Sequence, residues 1–307
     1  MSSPDAPNGR AVLTAVACYS LWGLMPLLFM AMAQAGFGAP EILAHRAVWS
    51  VFVAGALVLV LGQTRAARKV LGDVRTLGWL ALSALLIAVN WGVYVWATTH
   101  HATLEASLGY YINPLMNIAV GAVLFRERMD RWGVAAIALA AVGVVIQTVA
   151  LGHLPVLSII LALSFCAYGV IRKRVAADAA TGLFVECLVL LPFGLALLVW
   201  LETHGQGGVG FASTTGLIWA LSSGLATVLP LVLFSSAARR LPLSTIGFIQ
   251  FLAPTLQFAV GVWAGEAFTL LRGISFAFIW AGAGVFALGA WRKSRVIREA
   301  IRESEPA

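Results

Sequence analysis

The chain contains ten apolar runs, each long enough to cross a lipid bilayer as a helix. About 20 mostly apolar residues are enough, because the hydrocarbon layer is roughly 30 Å thick and a helix rises about 1.5 Å per residue. The runs span 11–32, 41–62, 77–98, 104–124, 132–150, 154–172, 181–201, 216–237, 244–264 and 271–291. Only 11% of the residues are charged, whereas about 25% is usual in a soluble domain. We therefore predict an all-α integral membrane protein with ten transmembrane helices.

Lysine and arginine residues lie in alternate connections between these runs. They are Arg10; Arg65, Arg68, Lys69 and Arg75; Arg126, Arg128 and Arg131; Arg172, Lys173 and Arg174; Arg239 and Arg240; and Arg292, Lys293, Arg295, Arg298 and Arg302. These are eighteen of the twenty basic residues, and the other two, Arg46 and Arg272, lie near the start of a helix. Because basic loops stay on the cytoplasmic side, the pattern predicts that both termini are cytoplasmic.

The two halves of the sequence are related by an offset of 140 residues. This offset aligns Pro114 with Pro254, Asn117 with Gln257, and AlaValGly at 119–121 with AlaValGly at 259–261. Later in each half, an offset of 139 aligns Glu127 with Glu266 and Gly143 with Gly282. Each half then holds five helices, and this odd number gives the halves opposite orientations in the membrane. We predict two inverted five-helix repeats, over residues 1–150 and 151–307.

Four prolines inside the apolar runs are predicted to kink their helices. They are Pro26, Pro114, Pro230 and Pro254. A proline has no N–H group and displaces the preceding turn, which leaves one backbone carbonyl free. Within a membrane such a carbonyl must be satisfied by protein or by water in a cavity. The paired kinks therefore predict a cavity between the halves, where Asn117 and Gln257 satisfy the freed groups, contact a solute or join helices by ordinary hydrogen bonds.

Several motifs resemble the drug/metabolite transporter superfamily, in its EamA-type branch, and most closely the RarD-like permeases. They are YSLWGLMPL at 19–27, EILAHRAVWS at 41–50, AsnTrp at 90–91 and LEASLGYYINPL at 104–115. This resemblance covers nearly the whole chain. It implies a ten-helix inverted repeat and the movement, most often export, of a solute across a bacterial inner membrane. The second half departs from these motifs, since it has no HisArg pair and has Pro230 where the first half has Asn90.

Two charged residues stand out because they lie within predicted spans. Arg46 lies about six residues into the second helix, and Glu186 lies at the repeat-related position in the seventh. A guanidinium group offers a fork of donors suited to carboxylate or phosphate, so Arg46 is a candidate for substrate binding. Burial favours a protonated carboxyl and a basic partner favours its ionised form, so Glu186 is a candidate for proton coupling. The alternatives are that Arg46 pairs with Glu41 or extends to the interface, and that Glu186 pairs with Arg172 or Arg174.

Amide and aromatic side chains supply the other candidates for substrate binding. Asn90, Trp91 and Tyr94 share one face of the third predicted helix, where they could line a cavity for flat organic solutes, although aromatic residues also collect at membrane interfaces. The complete candidate set comprises Trp22, Arg46, Asn90, Trp91, Tyr94, Tyr110, Asn113, Asn117, Gln250 and Gln257.

Motifs for other kinds of chemistry are missing from the sequence. It has no nucleotide-binding glycine motif and no HExxH, and His100 and His101 are adjacent, which is a poor spacing for chelation. We therefore expect no cofactor, no metal and no enzymatic activity. The expected partners are a small-molecule solute and membrane lipid but not nucleic acid, and no oligomeric state is predicted. The alternatives are a passive channel and an intramembrane lipid-modifying enzyme that would use Glu41, His45, His100, His101 and Glu105.

Overall fold

A computed structural model describes residues 9–99, 103–127, 129–151, 156–263 and 269–304. These residues form helices α1 Gly9–Gln34, α2 Ala39–Val60, α3 Thr64–Gly72, α4 Val74–Thr99, α5 Thr103–Leu124, α6 Arg131–Leu151, α7 Val156–Arg174, α8 Ala179–Thr203, α9 Val209–Ala212, α10 Thr214–Arg240, α11 Leu243–Gln250, α12 Leu252–Trp263 and α13 Leu270–Ser304. The predictions that concern His100, His101, Arg128 and Glu266, and the side chains of Glu105 and Arg272, lie outside the described residues.

The long helices have the length and composition of membrane spans. In the described part of the chain, six are long and apolar enough to cross a membrane: α1, α2, α4, α7, α8 and α10. Shorter apolar helical segments lie within α5, α6 and α13, at Leu108–Leu124, Arg131–Ile146 and Gly273–Gly289. The prediction of an all-α chain with several membrane spans is confirmed, while the number of ten spans stays a prediction.

The predicted run 244–264 is not one kinked helix, and in this detail the prediction was wrong. α11 ends at Gln250 and α12 begins at Leu252, so Pro254 lies in the first turn of a new helix. Pro254 cannot donate to the carbonyl of Gln250, and its ring crowds that carbonyl, so the helix ends there. The other three predicted kink positions, Pro26, Pro114 and Pro230, lie inside α1, α5 and α10.

The first basic loop contains a short helix that the apolar pattern did not predict. α3 buries Ala67 and Val70, which lie on one helical face, and leaves its basic residues exposed. Asp73 then starts α4, because its carboxylate accepts hydrogen bonds from the Thr76 hydroxyl at 2.5 Å and from the Arg75 N–H group at 3.2 Å. The hydrogen bond from Thr76 is the main reason that the pKa of Asp73 lies below its usual value.

The loops that carry basic residues meet at one end of the bundle. The Glu127 carboxylate lies 3.6 Å from Lys173 Nζ and accepts a hydrogen bond from the Leu243 N–H group at 2.7 Å. Gln63 accepts a hydrogen bond from Thr181 at 3.0 Å, which attaches the first basic loop to the start of α8. These contacts join the four basic loops that contain Gln63, Glu127, Lys173 and Arg240. The loops predicted to share one side of the membrane therefore also share one end of the structure.

Candidate functional site

The prolines and amides of the sequence surround a cavity in the middle of the bundle. It has about 90 Å³ of space for the centres of water molecules, several times the 10–15 Å³ or so that one water requires. In the described part of the chain, seven helices line it: α1, α2, α4, α5, α7, α11 and α12. The lining residues are Tyr19, Trp22, Met25, Pro26, Phe29, Arg46, Asn90, Trp91, Tyr94, Tyr110, Asn113, Phe165, Gln250, Ala253, Pro254 and Gln257.

Nine of the ten candidate substrate-binding residues line this cavity, and Asn117 does not. Asn117 instead donates a hydrogen bond at 2.7 Å to Gln250 Oε1, which also lies 3.5 Å from the Tyr19 hydroxyl. Asn117 is therefore a helix-joining residue that orients one wall of the cavity. Whether the nine lining residues bind a solute stays a prediction.

Arg46 supplies the positive charge of the cavity. Its side chain is only 8% exposed, and its Nε group donates a hydrogen bond to the Thr227 hydroxyl on α10 at 2.9 Å. The guanidinium carbon lies 4.6 Å from the ring centre of Trp91 and 5.2 Å from that of Phe29. Such stacking stabilises a cation electrostatically but uses none of its N–H donors. The guanidinium group is thus held in place by two rings and one hydroxyl.

The predicted alternative partner of Arg46 is engaged elsewhere. Glu41 lies 3.6 Å from His45, four residues later in α2, as expected from their spacing. The Glu41 carboxylate also accepts hydrogen bonds from the N–H groups of Gly208 and Gly210, at 3.0 and 3.1 Å. Glu41 therefore attaches the loop before α10 to the start of α2. In the described part of the chain no carboxylate lies within 4 Å of Arg46.

The polar wall on α4 and α5 has one satisfied and one unsatisfied amide. Asn90 donates to the Leu161 carbonyl at 2.9 Å and to the Ser164 hydroxyl at 3.1 Å, both on α7. Asn113 is buried, and its Oδ1 atom has no hydrogen-bond partner among the described residues. A buried acceptor without a partner is costly, and Asn113 lines the cavity, so its amide is a candidate to accept a hydrogen bond from an occupant.

Three prolines free a carbonyl at the cavity. The residues four positions earlier, whose carbonyls lose their usual donor, are Trp22, Tyr110 and Gln250, and all three line the cavity. Gln257 Nε2 donates to the Trp22 carbonyl oxygen at 3.3 Å. For Gln257, the prediction that an amide satisfies a proline-freed group is therefore confirmed.

Glu186 lies outside the cavity in a buried polar cluster. It is 2% exposed, accepts a hydrogen bond from Ser83, and lies 3.5 Å from both the Tyr168 hydroxyl and Arg172 Nη1. Arg172 is fully buried and donates to Ser235 and to the Ala179 carbonyl at 3.0 and 2.9 Å. The predicted alternative of an ion pair between Glu186 and Arg172 is present, and the role in proton coupling stays a prediction.

The sequence did not single out every residue of the site. Phe29, Phe165 and Ala253 line the cavity, but apolar residues in apolar runs give no signal of this kind. Thr227 was missed for the same reason, since a lone threonine in a span is ordinary. In the described residues no group of three or more His, Cys, Asp or Glu side chains could hold a metal ion.

The chain is similar along nearly its whole length to bacterial proteins, some of which are described as transporters. An uncharacterized transporter from Vibrio cholerae is 40% identical over 303 residues, which cover 97% of this chain and 99% of the relative. Protein RarD from Salmonella typhi is 39% identical over 288 residues, which cover 93% of this chain and 97% of the relative. No protein-family model matches the sequence.

A solved crystal structure has a similar fold. It superposes with a TM-score of 0.64 at 20% sequence identity, and the match covers 92% of this chain and 98% of the other. At this level of identity the likeness supports the fold alone.

Proposed function

Because this chain belongs to the RarD-like, EamA-type members of the drug/metabolite transporter superfamily, we propose that it is a secondary active transporter of a small organic solute. The solute, a metabolite or an amphipathic drug, binds in the central cavity, and alternating access carries it across the membrane in the direction of export. The observation that carries the proposal is a cavity lined by residues from both halves of the sequence. It contains the buried guanidinium group of Arg46, which forms no ion pair with the described residues.

The proposed mechanism requires two inverted repeats, and close contacts between α6 and α13 support them. A Cβ atom on Gly143 would lie 2.7 Å from the Ser275 carbonyl oxygen, and one on Gly282 would lie 2.6 Å from the Ala136 carbonyl oxygen. The offset of 139 residues converts one contact into the other, because it maps Gly143 onto Gly282 and Ala136 onto Ser275. A two-fold relation between the halves explains why both glycines are needed.

Other helix contacts follow the same exchange of halves. We pair α1 with α7, α2 with α8, α4 with α10, α5 with α11 and α12, and α6 with α13. A two-fold relation then requires that the largest contacts between these helices have a partner with the halves exchanged. Three pairs of contacts are related in this manner. The contact of α1 with α12 corresponds to that of α7 with α5, and the contact of α1 with α10 corresponds to that of α7 with α4. The contact of α2 with α10 corresponds to that of α8 with α4. The remaining large contacts, α2 with α8, α5 with α11 and α6 with α13, are their own partners. This pattern supports repeats over residues 1–150 and 151–307.

Transport would follow from rocking of one half against the other. The cavity takes its walls from residues of the first half, such as Arg46 and Asn90, and from residues of the second, such as Phe165 and Gln257. A rotation between the halves would therefore open the cavity to one face while closing it to the other. With the basic end of the bundle facing the cytoplasm of a bacterial inner membrane, both termini of the chain would be cytoplasmic.

Glu186 is the proposed site of proton coupling. Its carboxylate accepts a hydrogen bond from Ser83 of the first half, whereas its ion-pair partner Arg172 lies in the same half as Glu186. A rocking motion that withdraws Ser83 would remove a hydrogen bond to the ionised carboxylate and so favour proton uptake. In proteoliposomes, Glu186→Gln should abolish solute accumulation driven by a pH gradient but preserve exchange of labelled for unlabelled solute. Loss of both activities in a folded variant, or retention of gradient-driven accumulation, would exclude this role.

Proteoliposomes also test the proposed function against the alternatives. Vesicles containing the purified protein are loaded with a bacterial metabolite extract, and the uptake of each labelled component is followed by mass spectrometry. A transporter exchanges at least one unchanged solute with saturation and counter-flow. An intramembrane enzyme would return a chemically altered solute, and a passive channel would show neither saturation nor counter-flow.

A further inference from the structure

The terminal nitrogens of Arg46 are available to a solute. In the described part of the chain, the guanidinium group makes one hydrogen bond, from Nε to Thr227, and its other contacts are the faces of Trp91 and Phe29. The Nη1 and Nη2 groups make no hydrogen bond or ion pair with described residues, and the side chain lines the cavity. These two nitrogens form the planar fork that binds a carboxylate through two parallel hydrogen bonds.

The charge of the cavity sets the charge of its occupant. Arg46 is the only charged residue among the described residues that line it. One negative charge on the solute would neutralise the site, whereas a dianion such as a phosphate monoester would leave one buried charge without a partner. Because an unpaired charge in a low-dielectric interior is costly, the site favours a monoanion.

The remaining walls indicate the rest of the solute. Among the described residues, seven aromatic side chains line the cavity: Tyr19, Trp22, Phe29, Trp91, Tyr94, Tyr110 and Phe165. Such walls suit a flat apolar or aromatic body, which packs against ring faces and edges. Asn113 lines the cavity, and its buried Oδ1 atom has no partner among the described residues. A rotation of the amide that exposes this oxygen would let it accept a hydrogen bond, so the solute should also carry a donor. This donor should be neutral. An ammonium group on the solute, together with Arg46, would leave the occupied site with a net positive charge.

We propose that the cavity binds a flat organic monocarboxylate, with its carboxylate on the Arg46 fork and a neutral donor, such as a hydroxyl group, on Asn113 Oδ1. This inference rests on the proposed function, because it names the class of solute that the same cavity transports. It assigns Arg46 the selection of charge and Asn113 the selection of a donor.

The test is a set of matched probes titrated calorimetrically into the full-length protein in detergent. The probes are 4-hydroxybenzoate, its uncharged amide, benzoate without the hydroxyl group, and the dianion phenyl phosphate. The acid should bind roughly 10- to 150-fold more tightly than the amide, as expected for hydrogen bonds to a charged group. It should bind about 2- to 12-fold more tightly than benzoate, and phenyl phosphate should bind more weakly than the acid.

Two variants connect these preferences to residues. In the Arg46→Gln variant, 4-hydroxybenzoate and its amide should bind with nearly equal affinity. In the Asn113→Leu variant, 4-hydroxybenzoate and benzoate should bind with nearly equal affinity. A loss of folding alone would not change a ratio of affinities in this selective manner. Arg75→Gln, which removes an exposed positive charge in the first turn of α4, serves as the control and should leave both ratios unchanged.

The inference is overturned if the amide binds as tightly as the acid, if Arg46→Gln keeps the preference for the acid, or if no probe binds. The proposed function would still hold after such a result if vesicles loaded with metabolites exchange a neutral or cationic solute. Failure of counter-flow for every solute, by contrast, would remove the proposed function itself. The two experiments therefore separate an error about the solute from an error about transport.

Discussion

The side-chain amide of Gln257 donates a hydrogen bond to the backbone carbonyl oxygen of Trp22, at a distance of 3.3 Å. This carbonyl is the one that Pro26 leaves without a donor in α1. The contact connects α12 to α1 across the predicted boundary between the halves. A proline in the first half and an amide in the second thus belong to one hydrogen bond, although 231 residues separate Pro26 from Gln257.

This relationship predicts that the effects of Pro26 and Gln257 on stability are coupled. Gln257→Leu should lower the free energy of unfolding by about 1 kcal/mol, because it removes the donor for the Trp22 carbonyl. In a Pro26→Ala background the alanine N–H group supplies that donor within the helix, so the same substitution should cost clearly less. Unfolding of the four proteins in mixed micelles measures the coupling. Equal costs in both backgrounds would show that the carbonyl does not depend on Gln257.

Thr227 is expected to act through the position of Arg46. Its hydroxyl accepts the Nε–H hydrogen bond and donates to the Ser223 carbonyl at 2.8 Å, which fixes its orientation. Thr227→Val keeps the size of the side chain but removes the acceptor, so the half-saturating concentration in counter-flow should rise about tenfold. Thr227→Ser keeps the hydroxyl and should stay close to the unaltered protein. Equal behaviour of the two variants would contradict a positioning role.

Two neighbouring glycines of α13 provide a matched test of the α6–α13 contact. A Cβ atom on Gly282 would lie 2.6 Å from the Ala136 carbonyl oxygen, whereas one on Gly284 would meet nothing within 4 Å. Both Gly→Ala changes gain about 1 kcal/mol of helix propensity, but overpacking at Gly282 costs about 1–3 kcal/mol. Thermal unfolding in detergent should therefore show Gly282→Ala less stable than Gly284→Ala. A reversed order would mean that the two helices are not in close contact.

The general architecture follows from the sequence because its causes are local. Twenty-residue apolar runs define helices, and the alternation of basic loops separates the two ends of the bundle. The repeat alone relates Gly143 to Gly282, and the structure shows that both lie in the contact between α6 and α13. The positions of most cavity residues also followed from the pattern, because amides and prolines in apolar runs are costly unless they have a specific role.

The remaining features depend on contacts that a single sequence does not encode locally. Pro114 and Pro254 are related by the repeat, yet only the run that contains Pro254 is broken into two helices. Arg172 was assigned to a basic loop but is fully buried, because Glu186, Ser235 and the Ala179 carbonyl surround it. These partners lie on other helices, so only the folded structure shows that they surround Arg172.

Alternating access is tested most directly by accessibility at Ala253, a small residue that lines the cavity. Ala253→Cys is introduced after Cys18, Cys166 and Cys187 have been replaced by alanine, and a membrane-impermeant thiol reagent is added to one side of sealed vesicles. Ala140→Cys, which is buried between α6 and α13, is the unreactive control. We predict that Ala253→Cys reacts with reagent from either side and is protected by the transported solute. Complete labelling from one side with none from the other would contradict a cavity that opens alternately to both faces.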